Sequence, residues 1–104
     1  MGKTTARMVA VATLIRAANA QAAGDAAAGK TKAAACAACH GVDGNSTNPE
    51  WPKLAGQHAK YLEKQIKAFK SGARKDPLMS PMVANLSDED IADLAAYYAS
   101  QKPR

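Results

Sequence analysis

One tryptophan, one phenylalanine, three tyrosines and two cysteines are all that this 104-residue chain offers in aromatic and cross-linking residues to anchor a small fold. With so few large apolar side chains, and alanine in their place, burial alone promises only a thin core, so a fold held by side-chain packing without help is not expected. The two cysteines are the obvious place to look for that help. No stretch alternates apolar and polar residues with period two, which excludes a sheet as the organising element. No apolar run approaches the roughly 20 residues that a membrane-spanning helix needs. No segment repeats. What remains is a short chain of helical patterns separated by loops, with room for one small domain.

The first stretch has its own character. Lys3 and Arg7 precede the apolar run "MVAVATLI", which passes into the small-residue segment "RAANAQAAGD". This is the layout of a cleavable secretory leader, expected over residues 1–22, with "AQA" (Ala20 to Ala22) as the cleavage signal and "ANA" (Ala18 to Ala20) as a second candidate. Release after Ala22 leaves residues 23–104 and removes Lys3, Arg7 and Arg16. Eleven basic groups then face nine acidic ones, and the formal charge falls from +5 to +2. Most of the basic excess therefore belongs to the leader, so neither a nucleic-acid partner nor lasting membrane insertion is expected. Export to the periplasm also puts the cysteines in an oxidising compartment.

In the remaining chain, Asp25 can cap a helix with the body "AAAGKTKAAACAACH", ending at Gly41. The segment "GVDGNSTNPEWPKLAGQ" is punctuated too often by glycine, asparagine and proline for regular structure and is expected to wrap something. From His58, Leu62, Ile66 and Phe69 recur at helical spacing, with Gly72 as a stop. "ARKDPLMSPMVANL" reads as an irregular segment that buries its methionines. A last helix opens with a capping box from Ser87 to Asp90, and Ile91, Leu94, Ala95 and Tyr98 form its inner face. The fold class is all-α, with three to five short helices and long loops.

The chemistry concentrates in "CAACHG", Cys36 to Gly41. A redox Cys-x-x-Cys needs its thiols at a helix N-terminus, whereas these follow a helical pattern. A zinc site could count Cys36, Cys39, His40 and His58, but adjacent residues such as Cys39 and His40 seldom reach one tetrahedral ion together. Covalent haem needs that adjacency. Two thiols three residues apart can bind one porphyrin edge, and the next residue can present its imidazole to the iron over the ring face.

With these residues in view, the chain resembles the class I c-type cytochromes, and in particular one haem domain of the dihaem periplasmic kind. "AGDAAAGK", "CAACHGVDGNS", "WPKLAGQ", "YLEKQIKAFKSG" and "LSDEDIADLAAYYASQ" are similar to that family's segments in order and spacing. The resemblance implies a cytochrome c-like fold around one haem c, thioethers from Cys36 and Cys39, His40 as the proximal ligand, and a distal methionine shortly before the last helix. Met79 and Met82 are the candidates, and the spacing to "LSDED" in the family favours Met79. It also implies that the Pro52 carbonyl receives the second ring N–H of His40, and that Gly29 meets Tyr97 or Tyr98 where two helices cross. His58 is expected at the surface.

The implied function is single-electron transfer between redox partner proteins, such as a membrane-bound reductase or terminal oxidase, and not enzymatic turnover. An enzyme or gas-binding haem protein with an open sixth position is the alternative. Lys60, Lys64 and Lys67 form a basic stripe that is either a solvated face, partly neutralised by Glu63, or a docking patch for an acidic partner. The short tail after the last helix leads us to expect an untethered monomer.

Overall fold

The structure is a computed structural model that describes residues 24–104, so the expected leader over 1–22 lies outside the described residues. Among the described residues there are five α-helices and no strand. Helix α1 (Ala26–Lys32) starts at Asp25, whose carboxylate accepts hydrogen bonds from the N–H groups of Ala27 at 2.9 Å and Ala28 at 3.3 Å.

The single long helix expected from the alanine-rich body does not form. A 3-10 turn at Ala33–Ala35 intervenes before α2 (Ala37–His40). Cys36 N–H donates to Ala33 O at 2.9 Å, and this tighter turn redirects the axis. Alanine favours a helix but does not specify where its axis must lead. Ala33 is anchored in the core and His40 is tied to the following loop, and the break lies between these two anchors.

Helix α3 (Ala59–Ser71) runs from an exposed His58 to Gly72, with Leu62 buried and Ile66 packed against the core. Arg74 lays its guanidinium over the Phe69 ring, 4.5 Å from the centroid. The segment expected to be irregular contains a short helix, α4 (Met79–Val83). Pro81 is tolerated there because it lies in the first turn of this short helix, where its fixed φ suits the helical backbone. Its methionines are not both buried. Val83 packs inward, Met79 is half-buried, and Met82 is 51% exposed.

Helix α5 (Asp88–Ser100) opens on a complete capping box. Ser87 Oγ accepts from Asp90 N–H at 3.0 Å, and an Asp90 carboxylate oxygen accepts from Ser87 N–H at 3.0 Å. The core gathers Ala33, Leu62, Leu94, Ala95, Tyr97 and Tyr98. The most extensive helix packing is α1 on α5. Their closest point is Gly29, where a Cβ would lie 2.0 Å from Asp93 O and 2.8 Å from Tyr97 Cβ, so only glycine fits. Beside it, Lys32 Nζ lies 2.6 Å from the buried Asp93 carboxylate and 2.9 Å from that of Asp90. The second Asp93 oxygen accepts from Asp25 N–H at 2.8 Å, so the buried charge is both paired and hydrogen-bonded.

Candidate functional site

Residues 36–40 make one helical turn, in which His40 N–H donates to Cys36 O at 3.0 Å. Positions 36, 39 and 40 stand at i, i+3 and i+4, so their side chains leave one side of that turn. Both thiols are free and partly buried. Burial pushes the Cys36 thiol above its ordinary pKa. That is the reverse of the thiolate that disulfide exchange requires. Among the described residues no group of three or more His, Cys, Asp and Glu side chains converges as metal ligands, and His58 stands exposed at the start of α3. The four-ligand zinc arrangement is therefore not assembled.

His40 is 5% exposed, and its Nδ1 lies 2.9 Å from Pro52 O. A carbonyl can only accept, so Nδ1 carries the proton, and in the neutral ring this tautomer leaves the Nε2 lone pair available. Pro52 is brought there by the fold of the intervening loop: Leu54 N–H and Ala55 N–H both donate to Gly44 O, at 2.7 and 3.1 Å. Gly44 has φ +80°, and a Cβ on it would lie 2.8 Å from the Tyr98 ring and 2.9 Å from Ala55 N. The same loop is stitched to the C-terminal part of the chain. Tyr97 Oη donates to Val42 O at 2.8 Å, Asn45 Nδ2 donates to Lys102 O at 3.0 Å, and Asn45 Oδ1 accepts from Arg104 N–H at 2.8 Å. Arg104 also pairs with Asp43 at 2.7 Å. Hydrogen bonds from Asn45 and from the Arg104 guanidinium hold the Asp43 carboxyl at about 2.

Met79 stands on a separate element. Helix α4 packs chiefly on α3, which in turn packs on α5. Asp76 Oδ1 accepts from Leu78 N–H at 2.8 Å and from Met79 N–H at 2.9 Å, and these bonds hold its carboxyl below the usual carboxylate range. The sequence reading passed over Asp76, although an aspartate before Pro77 is a recognisable helix-start signal. Asn45 and the Lys32–Asp93 pair were missed as well. The signal that could have found Asp93 is an acid among the apolar positions of α5, whereas neither Asn45 nor Lys32 has a local signature. Lys60, Lys64 and Lys67 are exposed on α3, and the Glu63–Lys67 pair that the spacing allows is not among the ion pairs of the described residues.

The residues present fit haem c. Two unpaired thiols and a buried imidazole with a free Nε2 share one turn, and the buried Tyr98 hydroxyl beside Cys36 has no hydrogen-bond partner among the described residues. Comparison with known proteins agrees. The family model for cytochrome c matches residues 26–102. Cytochrome c4 of Pseudomonas aeruginosa is 60% identical over 83 residues, covering 80% of this chain and 41% of that protein. Cytochrome c-554(548) of Halomonas halodenitrificans is 58% identical over 83 residues, covering 77% of this chain and 100% of that protein. The crystal structure of reduced recombinant cytochrome c4 from Pseudomonas stutzeri superposes with a TM-score of 0.76 at 50% identity, over 79% of this chain and 48% of that one. The chain thus spans less than half the length of these cytochrome c4 relatives and matches cytochrome c-554(548) along its whole length. It belongs to the cytochrome c family as a class I c-type cytochrome, an all-α electron-transfer domain that carries covalent haem c with its iron, its Cys36 and Cys39 fitting the attachment motif.

Proposed function

We propose that this domain is a periplasmic electron carrier with His40 and Met79 as axial ligands, thioethers at Cys36 and Cys39, and no catalytic turnover of its own. When bound, haem supplies a one-electron ferric/ferrous couple. The observation that carries the reading is the His40 Nδ1–H bond to Pro52 O. It sets the tautomer that leaves Nε2 to face a metal, and it prevents the ring from rotating between oxidation states. The thioether sulfur of Met79 is soft and neutral, and such a ligand raises the potential toward that of a carrier. Met79 is half-buried whereas Met82 is largely exposed, which favours Met79.

Residues 1–22 serve as the export leader and 23–104 as the mature domain in this reading. Among the described residues no helix is long and apolar enough to cross a membrane. The exposed Lys60, Lys64 and Lys67 stripe steers acidic redox partner proteins, among them a membrane-bound reductase or terminal oxidase, onto a monomer.

Visible spectra of the exported protein and of its Met79→Ala and Met82→Ala variants test the proposal. The expected result is a low-spin spectrum of the folded protein and a haem that stays on the chain through acid extraction, with the weak red ferric band of methionine ligation lost in Met79→Ala and kept in Met82→Ala. A high-spin ferric spectrum in the unmutated protein overturns it in favour of a ligand-binding or catalytic haem with an open sixth position. Loss of the band only in Met82→Ala transfers the ligand role to Met82.

A further inference from the structure

We propose that Asp76 is the positioning residue for Met79, acting through a reciprocal box with Ser80 that fixes the backbone on both sides of the ligand; this rests on the reading of Met79 as an iron ligand. Four hydrogen bonds join Asp76 to the three residues 78–80. Its carboxylate Oδ1 accepts from Leu78 N–H at 2.8 Å and Met79 N–H at 2.9 Å. Its own N–H donates to Ser80 Oγ at 3.1 Å, and its carbonyl accepts from Ser80 N–H at 3.0 Å.

These bonds matter because little else orders the segment. Helix α4 has five residues, too few to persist by its own propensity, and Leu78 and Met82 on either side of Met79 are largely exposed. The residue just before it, Leu78, already has helical backbone angles and has no side chain that could satisfy the free N–H groups. The Asp76 carboxylate does so from two residues upstream, and Pro77 restricts the intervening backbone so that it can. A methionine on an unanchored loop would leave iron readily for a competing ligand. Held between two restrained neighbours, its backbone presents the side chain from one fixed position.

The experiment is imidazole titration of the ferric holo-cytochrome, followed at the red methionine band, for the unmutated protein, Asp76→Ala, Asp76→Asn, Ser80→Ala and Met79→Ala. Asp76→Ala should bind imidazole roughly five- to tenfold more tightly, the scale set by loss of a helix cap. Ser80→Ala should give a smaller shift in the same direction. Asp76→Asn retains an acceptor oxygen and should restore most of the difference. Amide hydrogen exchange at Leu78 and Met79 should accelerate in Asp76→Ala in step with the imidazole affinity. Unchanged affinity and exchange in both Asp76→Ala and Ser80→Ala, with the band still lost in Met79→Ala, would overturn the positioning role while leaving the ligand intact. A band that survives Met79→Ala would instead sink the ligand reading on which the inference rests.

Discussion

His40 sits on a turn braced from several directions, by Pro52 O on its ring, by the loop stitched to residues 97–104, and through Tyr97 by the α1–α5 crossing. Met79 sits on a five-residue helix that packs chiefly on α3 and takes its order from Asp76, three residues away. One side is built from contacts between residues far apart in the chain, the other from contacts within a few residues. Long-range contacts fail together when the domain unfolds, whereas a local box can open by itself. Damage to the His40 side should therefore appear as lost global stability. Damage to the Met79 side should appear as altered ligation in a domain that still unfolds normally.

The largest expected effect is at the crossing. Gly29→Ala would place a methyl group 2.0 Å from Asp93 O, and the helices must separate. We expect a loss of about 3 kcal/mol or more, the upper range for overpacking, measured by denaturant unfolding. Near-native stability would mean that the crossing is not the brace of the His40 side.

Acid comes next. Asp90 is held at about 2, against an ordinary 3.8, first by its hydrogen bond to Lys32 and then by the capping bonds from Ser87. Asp93 is lowered as well, first by Lys32 and then by Asp25 N–H. Carboxyls depressed in the folded state stabilise it fully above their unfolded pKa, and the contribution disappears as pH falls through the folded value. Melting temperature should therefore drop between about pH 4 and pH 2, in the unfolded carboxylate range and below. Lys32→Met should flatten that drop. An unaltered slope in Lys32→Met would remove the ion pair from the bracing.

Asn45→Ala should cost a smaller amount, about 1–2 kcal/mol for two lost hydrogen bonds to the tail, and the red methionine band should remain. If the band weakens as much as stability does, the two sides are coupled and the contrast fails. The smallest effect on the fold is expected from replacing Lys60, Lys64 and Lys67 with glutamine. Unfolding should not change, but association with an acidic redox partner, followed by stopped-flow at two ionic strengths, should slow and lose its salt dependence.

Much of this architecture was legible in advance wherever the signal is local. Asp25, the Ser87–Asp90 box, the Leu62–Ile66–Phe69 spacing and the Gly72 stop all act through residues within one or two turns, and the helices they mark are present. The break after Lys32 and the helical turn at Met79–Val83 were not legible. An alanine run has the same propensity whether it runs straight or bends, and a proline at the third position of a helix resembles a proline that ends one.

The cofactor chemistry is written in the chain itself, because attachment needs two thiols and an imidazole within one turn and Cys36, Cys39 and His40 are contiguous enough to provide it. So is the all-α class, since helical periodicity and capping are properties of neighbouring residues. The tertiary structure was needed to show that Asn45 holds the tail and that Lys32 and Asp93 pair across α1 and α5, while the bond from His40 to Pro52 O was implied by the family resemblance and not by the residues alone. These partners lie 12 to 61 residues apart, and nothing in the local pattern of either one announces the other. Proximity across such distances arises only when helices pack, and packing is a property of the whole chain.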